Sequence, residues 1–128
     1  MIIAIKTDVE LAEIHIIIES KIIKKQWQAH RQLLKTIHLS INELLQTNGL
    51  QLNQFSGIIF YEGPGSFTGL RIGCSVANAL AQSYKIPIVA TNGEDWLKKG
   101  LKLLSQNKGL PIIQPNYGAD IHYNLALT

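Results

Sequence analysis

The residues best placed to do chemistry lie between positions 62 and 74. Glu62 is followed by Gly-Pro-Gly-Ser-Phe-Thr-Gly-Leu-Arg-Ile-Gly (63–73) and then by the single cysteine, Cys74. Four glycines and a proline in eleven residues are a costly way to open a helix, since each interior glycine costs roughly 1 kcal/mol relative to alanine. A phosphate-cradling P-loop needs a lysine at its end, and none lies here. The dinucleotide fingerprint fails because Thr68 stands where its third glycine is required, and residues 83–89 contain no acid for the ribose. Ser66 is no elbow nucleophile, because Pro64 takes the position of the first glycine in G-x-S-x-G. Amides at a helix start can hold an anion without any of these motifs. Asp8 and Glu62 form the one carboxylate pair that could serve metal-dependent phosphoryl transfer or nuclease chemistry at strand ends. His15, His30, His38 and His122 show no zinc-peptidase spacing. Cys74 reads as a small helix residue with no recognised base beside it.

These residues must be positioned by strands and helices, and the apolar pattern says which. Residues 1–6 form a short apolar run, Ile14, Ile16 and Ile18 alternate, and a third extended stretch covers 22–28. Links this short require an antiparallel meander. Leu33, Leu34, Ile37, Ile41, Leu44 and Leu45 then follow a helical repeat over 31–45, with His30 at its entry and Gly49 as the stop. A strand at 57–61, a helix at 66–84, a strand at 86–90 and a helix at 94–104 come next. Two strands, 111–114 and 120–127, are predicted to end the chain. The order βββ-α-β-α-β-α implies an α/β domain with a mixed sheet and helices on its faces.

Within the loop, Gly63, Pro64 and Gly65 suit a tight turn and Ser66 an N-cap. Inside the helix, Gly69, Gly73, Ala77 and Ala81 make a ridge of small side chains beside an aliphatic one, Ile72, Val76 and Leu80. Small residues at that spacing predict a close helix–helix contact, at least partly with another subunit. Arg71, Ser75, Asn78 and Gln82 form a polar stripe opposite. Lys21, Lys24 and Lys25 beside Trp27 suggest either a basic-aromatic RNA patch or an edge strand guarded by lysines, and the second is the better reading.

Composition sets the outer limits. The 128 residues suffice for one domain, with 46% hydrophobic and 16% charged residues. Twelve Lys and Arg against nine Asp and Glu give a net charge of +3, too little by itself to imply a nucleic-acid partner. One cysteine excludes an internal disulfide and fits a reducing cytosol. The start lacks signal-peptide features, and no apolar run reaches the ~18–20 residues of a membrane span. The expectation is a soluble cytoplasmic protein.

Residues 63–73, following Ile58-Ile59-Phe60, resemble the signature of the TsaB (YeaZ-like) family, the scaffold subunit of the bacterial tRNA threonylcarbamoyladenosine system. The IIAIKT start, Trp27–Leu34, Ile86–Thr91 and Ile112–Leu127 resemble further family segments in order. The resemblance implies a single RNase H-like lobe of the actin/Hsp70/hexokinase type over residues 1–106, with 107–128 a strand pair left from a second lobe. It implies a non-catalytic scaffold with no cofactor and no metal of its own. Its partner would be a TsaD-type catalytic subunit, bound through the first two helices, with Phe67, Leu70, Arg71, Gly73 and Ala77 at or near the contact. A TsaE-type ATPase would be met through that complex, a homodimer is the other pairing implied, and tRNA would be contacted only indirectly. One departure matters: the family's aspartate before the strand-one threonine is Lys6 here, which argues against metal-assisted phosphoryl chemistry.

Overall fold

The computed structural model describes residues 1–116. Five strands form one sheet in the order β3-β2-β1-β4-β5. The strands β1 (Ile2–Lys6), β2 (Leu11–Ile18) and β3 (Lys21–Gln28) make the antiparallel meander, with Ile3 opposite Ile16 and Ile14 opposite Lys25. β4 (Gly57–Tyr61) and β5 (Ile88–Thr91) run parallel to β1, each reached through a helix, as parallel pairing requires.

Side chains alternate across the sheet and divide the core in two. Ile3, Ile5, Ile14, Ile16, Ile58 and Phe60 face α1 (Leu33–Thr47) and α2 (Phe67–Tyr84). Ala4, Ile17, Ile59 and Val89 face α3 (Trp96–Ser105). α3 lies so close that a Cβ at Gly100 would come within 2.5 Å of Ile59 Cγ2. Its leucines 97, 101 and 104 turn inward and Lys98, Lys99 and Lys102 outward, as their period predicts. Gly49 holds φ +66° just past α1, the left-handed geometry expected of the helix stop.

One sequence expectation needs correction, and one disfavoured alternative falls away. Residues 111–114 are not a strand. Only Leu110 bridges to Ile88, and beyond it the backbone of Ile113 is held by the Asn78 side chain, which donates to its carbonyl and accepts from its amide, both at 2.9 Å. The partner strand expected at 120–127 lies outside the described residues. The basic-aromatic patch is also divided. β3 is indeed an edge strand, but Lys24 turns toward Glu13 while Lys25 and Trp27 turn toward α1, where Lys25 pairs with Glu43 and the indole donates to Thr36 Oγ1 at 2.9 Å.

Candidate functional site

The carboxyl ends of β1 and β4 meet the start of α2. Ser66 caps this helix by accepting from the Gly69 amide at 3.2 Å. Its own amide donates to the Asp8 carbonyl at 2.7 Å. Gly65 must be glycine in this fold, since a Cβ there would fall 2.5 Å from Asp8 Cβ. Gly63, at φ +106°, lets the chain turn beneath Asn116, whose amide donates to the Glu62 carbonyl at 2.7 Å. The expected turn-and-cap residues 63–66 thus pack between Asp8 and Asn116.

Both candidate carboxylates already have internal donors. Lys6 Nζ lies 2.7 Å from Asp8 Oδ1, with the two side chains 18% and 11% exposed, and 4.6 Å above the Tyr61 ring. Glu62 Oε2 accepts from Asn92 Nδ2 at 3.2 Å. Among the described residues, no group of three or more His, Cys, Asp or Glu is arranged to hold a metal ion. An ammonium bonded to Asp8 supplies the positive charge that a cation would bring there, so the residues do not fit metal-assisted phosphoryl transfer.

Thr7 is a residue whose importance the sequence did not signal. It is fully buried, and its hydroxyl donates to the Gly69 carbonyl at 2.8 Å, tying β1 to α2. The small-residue ridge closes over it: Cβ atoms at Gly69 and Gly73 would collide with the Thr7 carbonyl and hydroxyl oxygens. Ala77 and Ala81 continue the ridge onto the core. The ridge therefore faces the chain's own sheet and not another helix, and Leu70, Gly73 and Ala77 are buried, out of reach of a partner. The helix contact is made instead by Ile72, Val76 and Leu80, which pack toward α1. Cys74 is likewise interior. Burial pushes its thiol up to about 11, only partly offset by the Asn78 amide, so it is a poor nucleophile.

On the outer side of α1 and α2 the picture reverses. Leu34 and Leu39 are each 59% exposed, and Phe67 is 41% exposed with the Arg71 guanidinium 5.3 Å from its ring. A groove of about 290 Å³ between the helices is lined by residues that include Leu39, Leu45, Leu52, Val76 and Leu80. It is followed by one of about 350 Å³ beside Leu34, Arg71 and Ile72. Of the five residues expected at a contact, Phe67 and Arg71 lie on this face. Leu34 belongs to the helical repeat by spacing yet stands exposed at the open start of α1, while Leu39 lies off the repeat.

Across the sheet, His15 is buried edge-on to Trp96, with ring centroids 5.5 Å apart. Its Nε2 donates to Glu13 Oε1 at 3.0 Å, and its Nδ1 is buried with no hydrogen-bond partner among the described residues. Burial lowers the His15 pKa, outweighing the opposing Glu13 hydrogen bond. Burial alone would raise the Glu13 pKa, but the His15 hydrogen bond and the charges of Lys24 and Lys6 hold it below the ordinary carboxylate value. Because the folded state binds the His15 proton less readily than the unfolded chain, this histidine's contribution to stability is complete above pH ~6.5 and lost as pH falls toward the folded value. The urea midpoint should decline between pH 7.5 and 5.5, and His15→Gln should flatten that decline. An unchanged slope in the variant would assign the effect elsewhere.

Residues 17–115 match the family described as TsaD: tRNA N6-adenosine threonylcarbamoyltransferase. The chain belongs to this family. Its relatives include both TsaB proteins and threonylcarbamoyltransferases, and the solved structures it resembles are of YeaZ type. A 61-residue stretch is 43% identical to the tRNA threonylcarbamoyladenosine biosynthesis protein TsaB of Haemophilus influenzae, covering 48% of this chain and 26% of that protein. A 64-residue stretch is 39% identical to the tRNA N6-adenosine threonylcarbamoyltransferase of Geotalea uraniireducens, covering 50% of this chain and 19% of that one. The fold superposes on YeaZ from Pseudomonas aeruginosa with a TM-score of 0.70 and 24% identity, over 83% of this chain and 49% of that structure. The matched region thus spans about a quarter of the Haemophilus protein and about half of the Pseudomonas structure. The RNase H-like lobe expected from the sequence is the fold observed.

Proposed function

We propose that the chain acts in forming the threonylcarbamoyl group on tRNA adenosine as a non-catalytic subunit, pairing with a TsaD-type catalytic subunit through the outer face of α1 and α2. The observation that carries this reading is the contrast between the carboxyl ends of β1 and β4 and the outer face of α1 and α2. The carboxylates that could do phosphoryl chemistry are bonded to Lys6 and Asn92. Beside them, large apolar side chains stand exposed over a groove between two helices. Exposed apolar patches of this kind mark interaction surfaces on proteins of this size. The family match supports the pathway, and the grooved helix pair supports the pairing.

The test is reconstitution. The TsaD-type subunit from the same genome, with its other required components and a tRNA transcript, is assayed for threonylcarbamoyladenosine by mass spectrometry with and without this chain. The modified nucleoside should rise when the chain is added, and should rise equally with the Asp8→Asn, Glu62→Gln double variant. Loss of the modification in that variant, with magnesium-dependent nucleotide turnover by the wild-type chain alone, would replace this reading with an enzymatic one.

A further inference from the structure

The positive charge of the chain is unevenly spread. Residues 1–62 carry six Lys and Arg against six Asp and Glu, whereas residues 63–116 carry Arg71, Lys85, Lys98, Lys99, Lys102 and Lys108 against only Glu94 and Asp95. All of these cations but Arg71 gather on α3 and around its carboxyl end. Lys98, Lys99 and Lys102 stand exposed on the outer side of α3, whose leucines turn to the sheet. Lys108 is held against the last turn of that helix, its amide donating to the Leu103 carbonyl at 2.9 Å. The next residue, Gly109, packs so tightly on Pro87 that a Cβ would fall 2.4 Å from the proline Cβ. Lys85, two residues before that proline, ends α2 and lines a groove of about 490 Å³ together with Gly109 and Leu110. Asp95 holds Lys99 at 3.2 Å, but among the described residues no carboxylate pairs with Lys85, Lys98, Lys102 or Lys108. Glu94 precedes the helix, and Glu19, in the turn joining β2 to β3, lies beyond β1 from the strands on which α3 rests. Lys98 also works against its own helix. It sits in a first turn that holds no acid, where the positive end of the helix dipole disfavours a cation.

We infer that the outer side of α3, with Lys85 and Lys108 at its carboxyl end, is an RNA surface that grips the phosphate backbone of tRNA. The inference rests on the reading above for the identity of the RNA. Charge concentrated in one half of a chain is the electrostatic footprint of a polyanion partner, even where the net charge is small. Lysines on flexible stems act as point charges toward phosphates, and such contacts need no apolar centre. A protein contact, by contrast, is depleted in lysine and built around apolar or aromatic anchors. The outer side of α3 offers Lys98, Lys99, Lys102 and Ser105 in their place. An anionic membrane would need an apolar helix face to insert, and that of α3 is buried on the sheet. Because α3 and the α1–α2 pair cover opposite faces of the sheet, RNA and the partner subunit can be held at once.

The test is filter binding of a tRNA transcript to the full chain, alone and with the TsaD-type subunit, at about 50 mM and about 200 mM NaCl. Four lysine–phosphate contacts predict that the chain loses about a hundredfold in affinity between the two salts, and Lys98→Gln combined with Lys102→Gln should reduce that loss to about tenfold. Both lysines are exposed, so the double variant should melt with wild type. An RNA of unrelated sequence should bind equally, since phosphate contacts carry no sequence information. The complex should also bind tRNA more weakly when it contains the double variant. No retention by the chain overturns the inference, as does retention that the double variant leaves unchanged. Capture of polyglutamate but not of tRNA overturns it too, in favour of an acidic protein. The reconstitution described above keeps the two readings apart: modification that rises with the chain while tRNA is not retained leaves the functional reading standing without the RNA surface. Retention without any rise in modification overturns the functional reading and leaves an RNA surface outside that pathway.

Discussion

Gly73→Ala should lower the melting temperature by roughly 10 °C, corresponding to about 2–3 kcal/mol. The new methyl would overlap the Thr7 hydroxyl and sit 3.0 Å from Phe60 Cε1. Thr7 cannot yield cheaply. It is β-branched and fully buried, and its hydroxyl is bonded to the Gly69 carbonyl. Moving it would break the tie between β1 and α2 and leave the Thr7 hydroxyl unpaired in the core. Phe60 is itself fully buried, so the sheet side offers no slack. Differential scanning calorimetry of wild type and variant checks this directly. A variant that melted with wild type would show that α2 does not rest on Thr7 as described.

Leu39→Asp should do the opposite. Leu39 is 59% exposed, so the isolated variant should keep its stability within about 0.5 kcal/mol. If the face is a protein contact, a carboxylate in the middle of its apolar area should cost at least about thirtyfold in affinity for the TsaD-type subunit. Isothermal titration at moderate salt, paired with a thermal melt, separates the two effects. The pair of variants divides α2 and its neighbours into a ridge that holds the fold and a face that does not. Normal binding by Leu39→Asp would remove the face from the contact.

That division is what the sequence could not supply. A period of 3.6 residues showed that Gly69, Gly73, Ala77 and Ala81 lie on one line and Ile72, Val76 and Leu80 on the next. It did not say which neighbour each line meets. Small residues permit close approach to any backbone, and here the backbone is that of Thr7 at the end of β1. The Ser66 cap was legible because a cap acts within one helical turn. So were the antiparallel meander and the edge position of β3, which follow from short links and from three lysines on one strand. The segment at 111–114 reads as a strand because Ile112 and Ile113 are apolar and β-branched. The amide and carbonyl of Ile113 are satisfied by Asn78, thirty-five residues away, and no local pattern signals such a bond. The pairing of Lys6 with Asp8 was half visible: a lysine at that position could be seen to exclude a metal, but not that it would bond the carboxylate itself.

Hydrogen exchange of the chain with and without the TsaD-type subunit tests the central claim most directly. Slowed exchange should appear in peptides covering Leu33–Thr47 and the first turns of α2, Phe67–Ser75. Peptides from β3 and α3, on the far edge and the opposite face of the sheet, should be unchanged. Protection confined to α3, or to residues 6–8 and 62–66 with α1 unaffected, would contradict the assignment of the α1–α2 face as the docking surface.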